Sequence, residues 1–382
     1  MSRVLIFVGA FEPGFKAGGP IKSMVELLDG LPPSVQVTLV TGDRDLGDSV
    51  AYPGLSGCSV LRGHHLIHYL NWRDPRQWVQ LLRNLRRTRF DLLYVNSLWS
   101  PQFTVLPVVL RLFGQLTSRE LLLAPRGELS PGALSVKGDK KRRFLRVWRP
   151  LLRKVDPMWH ASTTKEQCDI TDAFPGARTV VVGDSRGNEP IKTPTAAGAT
   201  ARFVFLSRIC EMKNLALVLE AAQLLTSEVD LDVFGPIEDN FYWDACLRLI
   251  DQMPSNLRVA YRGMVRPEVV QTTFTEYDAF VLPTLGENFG HVIGESLSAG
   301  CPVVCSQNSP WTAVLQDGGG AALARLDART WAVELGRLAA LSPAERTAGK
   351  QAALDAYRRW REVQPPTTVV ELVLDLGVSD VA

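Results

Sequence analysis

No apolar run in this sequence approaches the roughly 18–20 residues of a membrane-spanning helix, so no helical span is expected. Residues Met1 to Gly9 lack a long apolar stretch with a cleavage site, and they read as a first buried strand, not a signal peptide. Cysteine is sparse: Cys58, Cys168, Cys210, Cys246, Cys301 and Cys305 are scattered with no Cys-x-x-Cys pair. That excludes a disulfide framework or a zinc ribbon, and all six are expected to be buried cytosolic thiols. Histidine is scarcer still. His64, His65 and His68 have a spacing that could hold a metal on a helix, but no cysteine or carboxylate motif accompanies them. They are expected to form a surface cluster, with no metal. No Gly-x-Gly-x-x-Gly follows the first strand, which counts against a nicotinamide dinucleotide fold. Excess charge of one sign is also missing, the net formal charge being +2. A basic stretch stands alone with no DNA- or RNA-binding motif, so nucleic acid is not an expected partner.

What is present is alternation. Val4–Val8, Val35–Thr41, Leu92–Val95, Leu121–Ala124, Met158–Ala161 and Val180–Val182 read as strands. Ile21–Leu31, Gln77–Arg86, Pro101–Phe113, Lys140–Lys154 and Thr164–Ala173 read as helices between them. This is the pattern of βαβ units and a parallel sheet. A segment rich in Gly, Pro, Ser, Thr and Ala, Asp184 to Thr200, reads as a linker, after which the pattern restarts. Strands are predicted at Phe203–Leu206, Leu231–Phe234, Leu257–Tyr261, Ala279–Leu282 and Pro302–Val304. Helices are predicted at Leu215–Leu225, Tyr242–Asp251, Glu268–Phe274, His291–Ala299, Thr330–Leu341, Pro343–Val363 and Val369–Leu376. A chain of 382 residues is long enough for two domains.

The most informative stretch is Gly286-Glu287-Asn288-Phe289-Gly290 with Glu295. It follows an apolar strand and opens a helix, the position where α/β sheets bind phosphates. A phosphate site does not itself call for carboxylates, so the two glutamates are better matched to neutral hydroxyls; phosphate plus hydroxyls describes a nucleotide sugar. In Phe205 to Asn214 a strand ends, Arg208 follows, and Lys213 comes where a helix begins. Two cations there can clamp a diphosphate and offset the charge that builds as it leaves. Near the N-terminus, Gly18-Gly19-Pro20 closes a loop at a helix start, where glycines let backbone approach a ligand and proline suits the first helical turn.

The string from Leu282 to Val304, with Glu287, Phe289-Gly290, Glu295 and Gly300-Cys301-Pro302-Val303, resembles the signature of retaining glycosyltransferase family 4. That group includes phosphatidylinositol mannosyltransferases and sucrose synthases. The resemblance is strong over residues 200–325 and loose before them. It implies an α/β chain of two facing Rossmann-like domains (GT-B) with a deep interdomain cleft. The implied domains are 1–190 for the acceptor, 191–360 for the nucleotide sugar, and a segment 361–382 crossing back to the first.

The resemblance also implies roles. Arg208 and Lys213 would bind the pyrophosphate, Ser207 standing where the family has glycine. Glu287, with the backbone of Asn288, Phe289 and Gly290, would contact the transferred sugar, and Glu295 the ribose. Gly18 and Gly19 would face the diphosphate, and the loops at Gly235 and Met264 the base. Asn288 and His291 depart from the commonest form and bear on the sugar pocket. Arg126, in Pro125-Arg126-Gly127-Glu128, stands near where many members carry a histidine. It could bind a phosphate or be structural, pinned by Glu128 or the turn. Asn96, Trp99 and Glu128 are candidates for the acceptor pocket, with Lys137 and Lys140 near the same edge. His160 ends another strand, in a structural role or a site role.

No cofactor or metal is expected in such an enzyme. Residues 137–154 interleave cations with apolar residues at helical spacing, as in a helix that lies on an anionic membrane surface. The expected function is transfer of a hexose, with retention, from a nucleoside diphosphate sugar to a polyprenyl-diphosphate-linked saccharide. It is set in cell-surface polysaccharide synthesis, in the cytoplasm at the inner face of the membrane. The alternatives are a soluble glycosyltransferase with a small acceptor and a non-catalytic nucleotide-sugar-binding scaffold.

Overall fold

The computed structural model describes residues 1–135, 138–184 and 187–379. The chain divides into two compact units, residues 1–185 with 365–382, and residues 186–364.

The first unit is built on β1 (Ser2–Phe7), β2 (Val35–Gly42), β3 (Ser59–Arg62), β4 (His65–Leu70), β5 (Arg89–Asn96), β6 (Thr117–Ala124), β7 (Met158–Ala161) and β8 (Arg178–Val181). They form one eight-stranded sheet in the order β3-β4-β2-β1-β5-β6-β7-β8. All neighbours are parallel except the β3–β4 hairpin. Val4, Leu5, Ile6 and Phe7 are all buried because helices cover both faces; a strand buried on both sides reads as a continuous apolar run. Leu5 and Phe7 join the cluster under helix Gly138–Val155 through Leu145, Trp148 and Leu152. Val4 and Ile6 point the other way, into a cluster that includes Val369, Val370 and Val373 of helix Val369–Ser379.

The β3–β4 hairpin is absent from the sequence expectation. It corrects the reading of His64, His65 and His68 as a surface cluster. His65 and His68 lie in β4, and His65 is buried. Its Nδ1 accepts from the Val37 N–H at 3.2 Å, so Nε2 carries the proton and donates to Leu28 O at 3.2 Å. Burial lowers its pKa. The segment read as one helix from Pro101 is a π turn, Pro101–Val105, running into an α-helix, Leu106–Leu112. The cysteines also divide. Cys246, Cys301 and Cys305 are buried, whereas Cys58 and Cys168 are exposed, one before β3 and the other on helix Thr164–Ala173.

The second unit carries β9 (Ala201–Leu206), β10 (Val229–Phe234), β11 (Leu257–Gly263), β12 (Ala279–Leu282), β13 (Val303–Ser306) and β14 (Gly320–Leu323). The order is β11-β10-β9-β12-β13-β14, all parallel. Local chemistry starts its helices. Asp239 caps Asn240–Ile250 through the Tyr242 N–H, and Ser342 with Glu345 forms a capping box on Pro343–Glu362. That long helix is anchored by Arg346, whose Nη2 donates to the carbonyls of Gly198 and Ala199 at 2.5 and 2.9 Å.

Each sheet has one place where the strand order reverses, between β1 and β5 in the first and between β9 and β12 in the second. Connections leave in opposite directions there, opening a crevice at the carboxyl ends of the strands where α/β sheets bind ligands.

Candidate functional site

In the second unit the loops leaving β9 and β12 carry the predicted charges. After β9 the chain makes a single 3-10 turn, Glu211–Lys213, then passes through Asn214 at φ 59° into helix Leu215–Ala222. After β12, Leu285 N–H donates to Met212 O at 2.9 Å, tying the two loops together. Lys213 Nζ and Glu287 Oε1 meet at 2.5 Å, with side-chain exposures of 11% and 8%. Shielding from water makes such a pair far stronger than a surface one.

Arg208 lies apart from that pair. Its Nη1 is 2.5 Å from Glu238 Oε2, on the loop after β10, and both side chains are substantially exposed. Gly235 heads that loop at φ 134°, where an added Cβ would lie 1.8 Å from Ser207 O. Only glycine fits. Its N–H donates to Gly263 O at 2.9 Å, lining up the ends of β9, β10 and β11, and Met264 follows, exposed.

The turn from Thr284 to Gly290 is gripped from the loop after β13. Glu287 N–H donates to Asn308 O at 3.0 Å, and Trp311 Nε1–H donates to Phe289 O at 2.6 Å. Gly290, at φ 77°, caps helix His291–Ser298, on which Glu295 is half-buried. The first N–H groups of a helix have no intrahelical partners, so this end favours negative charge. Asn288 lies in the gripped turn and His291 opens the helix. Neither Asn308 nor Trp311 was signalled by the sequence, because both act through backbone groups of residues far away in the chain.

In the first unit, Gly18 (φ 65°) caps helix Gly19–Gly30, which has proline in its first turn. The preceding loop is held by Asp45, whose Oδ2 accepts from the N–H groups of Phe15 and Lys16 at 2.8 and 3.1 Å. At the end of β5, Asn96 is buried and its Oδ1 accepts from Arg126 Nε and Nη2 at 3.0 and 2.8 Å. An arginine only donates, so the amide must turn its oxygen toward Arg126. Its Nδ2 is buried and has no hydrogen-bond partner among the described residues.

Arg126 itself is enclosed. It sits at φ 55°, pairs with Asp184, and donates through Nη2 to Tyr94 Oη at 2.9 Å. Burial works against its charge, but the Asp184 and Glu166 carboxylates raise its pKa overall. The network runs on. His160 Nε2 donates to Val182 O at 2.8 Å, so Nδ1 accepts from the Tyr94 hydroxyl at 2.7 Å. Burial pushes the His160 pKa down to about 4. Glu166, also buried, accepts from Gly127 N–H at 2.6 Å and holds the turn after Arg126. Asp184, not Glu128, pairs with the guanidinium.

Glu128 turns to the loop after β5. It accepts from Ser97 Oγ at 2.8 Å and Leu98 N–H at 2.5 Å, and burial pushes its pKa up to about 7. Ser97 stands at φ 77°, so the ends of two adjacent strands each hold a non-glycine residue in the left-handed region. Such costly conformations collect at functional sites. Trp99 lies beside them, its ring 5.6 Å from Lys141 Nζ and edge-on to Phe144.

Helix Gly138–Val155 buries Leu145, Trp148 and Leu152 and exposes Arg142, Arg143, Arg146, Val147, Arg149, Arg153 and Lys154. Lys140 is exposed too, and Lys137 lies outside the described residues. Among the described residues, no helix is long and apolar enough to cross a membrane, and no group of three or more His, Cys, Asp or Glu could hold a metal ion.

Residues 200–340 match the family model described as "Glycosyl transferases group 1". No curated protein matches the chain. Among solved structures, it is similar to Anabaena Alr3699/HepE in complex with UDP-glucose, at 15% identity and TM-score 0.72, covering 100% of both chains. It is also similar to sucrose-phosphate synthase from Thermosynechococcus elongatus, at 15% identity and TM-score 0.69, over 94% of each chain. A third is the trehalose-6-phosphate protein from E. coli bound with UDP-2-fluoro glucose, at 14% identity and TM-score 0.62, over 94% of this chain and 97% of that one. These likenesses show the fold, two parallel-sheet Rossmann-like units of the GT-B kind. The family model adds a glycosyltransferase domain over 200–340.

Proposed function

We propose that the chain is a retaining glycosyltransferase of family 4 type that moves a hexose from a UDP-sugar to a lipid-linked saccharide. The observation that carries this reading is the Lys213–Glu287 pair at the strand-order reversal of the second sheet, inside the glycosyltransferase segment. A diphosphate arriving there competes for Lys213 and frees Glu287 to accept from sugar hydroxyls. An ionised carboxylate only accepts, which suits vicinal hydroxyls; the same chemistry assigns Glu295 to the ribose. Arg208 leaves its exposed partner Glu238 for the diphosphate. Gly235 and Met264 belong to the loops assigned to the base. Uridine is favoured because similar solved structures hold UDP or a UDP-sugar.

In the proposed reaction the bond from the anomeric carbon to the leaving phosphate oxygen breaks. A new bond forms from that carbon to the acceptor oxygen on the same face. The acceptor's proton passes to the leaving phosphate. Arg208 and Lys213 offset the charge developing on the diphosphate, so the proposal requires no resident metal or cofactor. Asn96, Trp99 and Glu128 are assigned to the acceptor. Arg126, with its donors turned to Asp184, Asn96 and Tyr94, is assigned to holding Asn96 in place.

The exposed cations of helix Gly138–Val155 are assigned to an anionic membrane surface at the cytoplasmic face, where each contributes about 1 kcal/mol. The test of the donor assignment is thermal stabilisation by UDP, GDP, ADP and their sugar conjugates, with Arg208→Ala as control. Stabilisation lost in the variant supports the reading, and no stabilisation by any nucleotide overturns it.

A further inference from the structure

Trp311 touches the donor turn without belonging to it. Its indole is buried at 3% exposure and has a helix on either side. Gly290 and Gly294 lie one turn apart at the start of helix His291–Ser298. A Cβ on Gly294 would come within 3.0 Å of the ring, and one on Gly290 within 3.5 Å. Trp360 of helix Pro343–Glu362 packs against it, with ring centroids 4.4 Å apart and the ring planes tilted by 42°. The paired glycines therefore form a groove that seats the indole and leaves its N–H 2.6 Å from Phe289 O.

A trans peptide carries its C=O and N–H on opposite sides. With the Phe289 carbonyl committed to the indole, the Gly290 N–H of the same peptide is directed away from it. Being at a helix start, that N–H has no intrahelical partner. Asn308 O accepts the Glu287 N–H on the near side of the turn, so the loop after β13 grips it on both sides of Asn288.

We propose that Trp311 is a positioning residue for the donor. Its hydrogen bond fixes the Phe289–Gly290 peptide so that the Gly290 N–H is presented to an oxygen of a nucleotide sugar lying beyond the first phosphate. The inference rests on the donor-site reading above. Trp311 itself need not touch substrate: phenylalanine at 311 would keep an aromatic ring and lose the donor together with part of the indole's bulk, a general loosening that the monophosphate control detects.

The experiment is calorimetric titration of the full chain with UDP-glucose and with UMP, which lacks the outer phosphate and sugar. Pairs of GDP-mannose with GMP and ADP-glucose with AMP cover the other bases. In Trp311→Phe the nucleotide sugar is expected to bind about 5–10-fold more weakly, the effect of one lost hydrogen bond, with the monophosphate unchanged within about twofold. Gly294→Ala, which displaces the indole chemically intact, is expected to change the same ratio and decides the matter if Trp311→Phe does not fold. An unchanged ratio in both variants, or equal weakening of both ligands as a general loosening would give, overturns the proposal. If the wild-type chain binds none of the nucleotide sugars, the donor-site reading fails and the proposal falls with it.

Discussion

Lys213 and Glu287 are 74 residues apart in the chain, and their side chains meet at 2.5 Å where β9 and β12 end. Neither charge has much access to water, so each depends on the other. Removing one leaves a shielded charge unanswered, whereas removing both leaves none.

Lys213→Met alone is therefore expected to destabilise the chain by about 1–3 kcal/mol, below the full cost of breaking a deeply buried pair. The double variant Lys213→Met with Glu287→Leu is expected to recover most of that while binding no nucleotide. Urea unfolding of the two variants, beside nucleotide titration, checks it; a double variant no more stable than the single one would contradict the pairing argument.

Arg208 is exposed and its partner Glu238 is exposed, so it contributes little to stability. Arg208→Ala is expected to leave the melting temperature of the free chain within about 1–2 °C. It should abolish the roughly 2.7 kcal/mol that a ligand at about 100 times its Kd adds to the wild type. Scanning fluorimetry with and without nucleotide separates the two effects.

Glu128 binds its proton more tightly in the folded chain than in the unfolded one, its pKa rising from 4.5 to about 7. Between those values the native state holds more protons, so this group's contribution to stability falls as pH rises, by up to about 1.4 kcal/mol per pH unit. Below the ordinary carboxyl value it contributes no pH dependence. Glu128→Gln is expected to remove that slope, so unfolding free energies of variant and wild type should diverge, in the variant's favour, from about pH 5 to 7. Parallel denaturation curves across that range would show that Glu128 titrates normally.

Gly235→Ala places a methyl 1.8 Å from Ser207 O at a φ of 134°. Neither backbone nor side chain can yield cheaply there, so the variant is expected to lose more than about 3 kcal/mol or fail to fold. Circular dichroism on heating measures it.

Replacing Arg143, Arg146, Arg149 and Arg153 by glutamine removes exposed cations from one helix while leaving Leu145, Trp148 and Leu152 in the core. At about 1 kcal/mol each near an anionic bilayer, the loss should weaken binding to phosphatidylglycerol vesicles on the order of a thousandfold. Cosedimentation at low and high salt is the measurement; no wild-type binding at low salt would dismiss the membrane assignment.

The α/β class was legible because strands buried on both faces write themselves as unbroken apolar runs, as at Val4–Phe7 and Ala279–Leu282. What escaped had weaker local chemistry. β3 is exposed and short, β4 carries histidines, and β14 is built of Gly320, Ala321, Ala322 and Leu323, too small to announce a strand. In the candidate site, the positions of charged and glycine residues at strand ends could be read directly, but their partners could not. Arg126 meets Asp184 58 residues on, and Tyr94 meets His160 66 residues on. Glu128, close to Arg126 in sequence, turns instead to Ser97 and Leu98. Such pairings are fixed by strand order, which local pattern does not encode.

Val369, Val370 and Val373 belong to the core cluster that holds Val4 and Ile6, so the first unit needs helix Val369–Ser379. On the ribosome, residues 186–364 emerge as one uninterrupted stretch and can finish folding as a unit. The first unit must wait with part of one apolar sheet face uncovered, beyond what Met24, Leu27 and Leu28 of helix Gly19–Gly30 cover, until residues 369–373 have cleared the exit tunnel. The part made first is thus the part finished last, and a premature stop near residue 364 would strand it as a sticky intermediate.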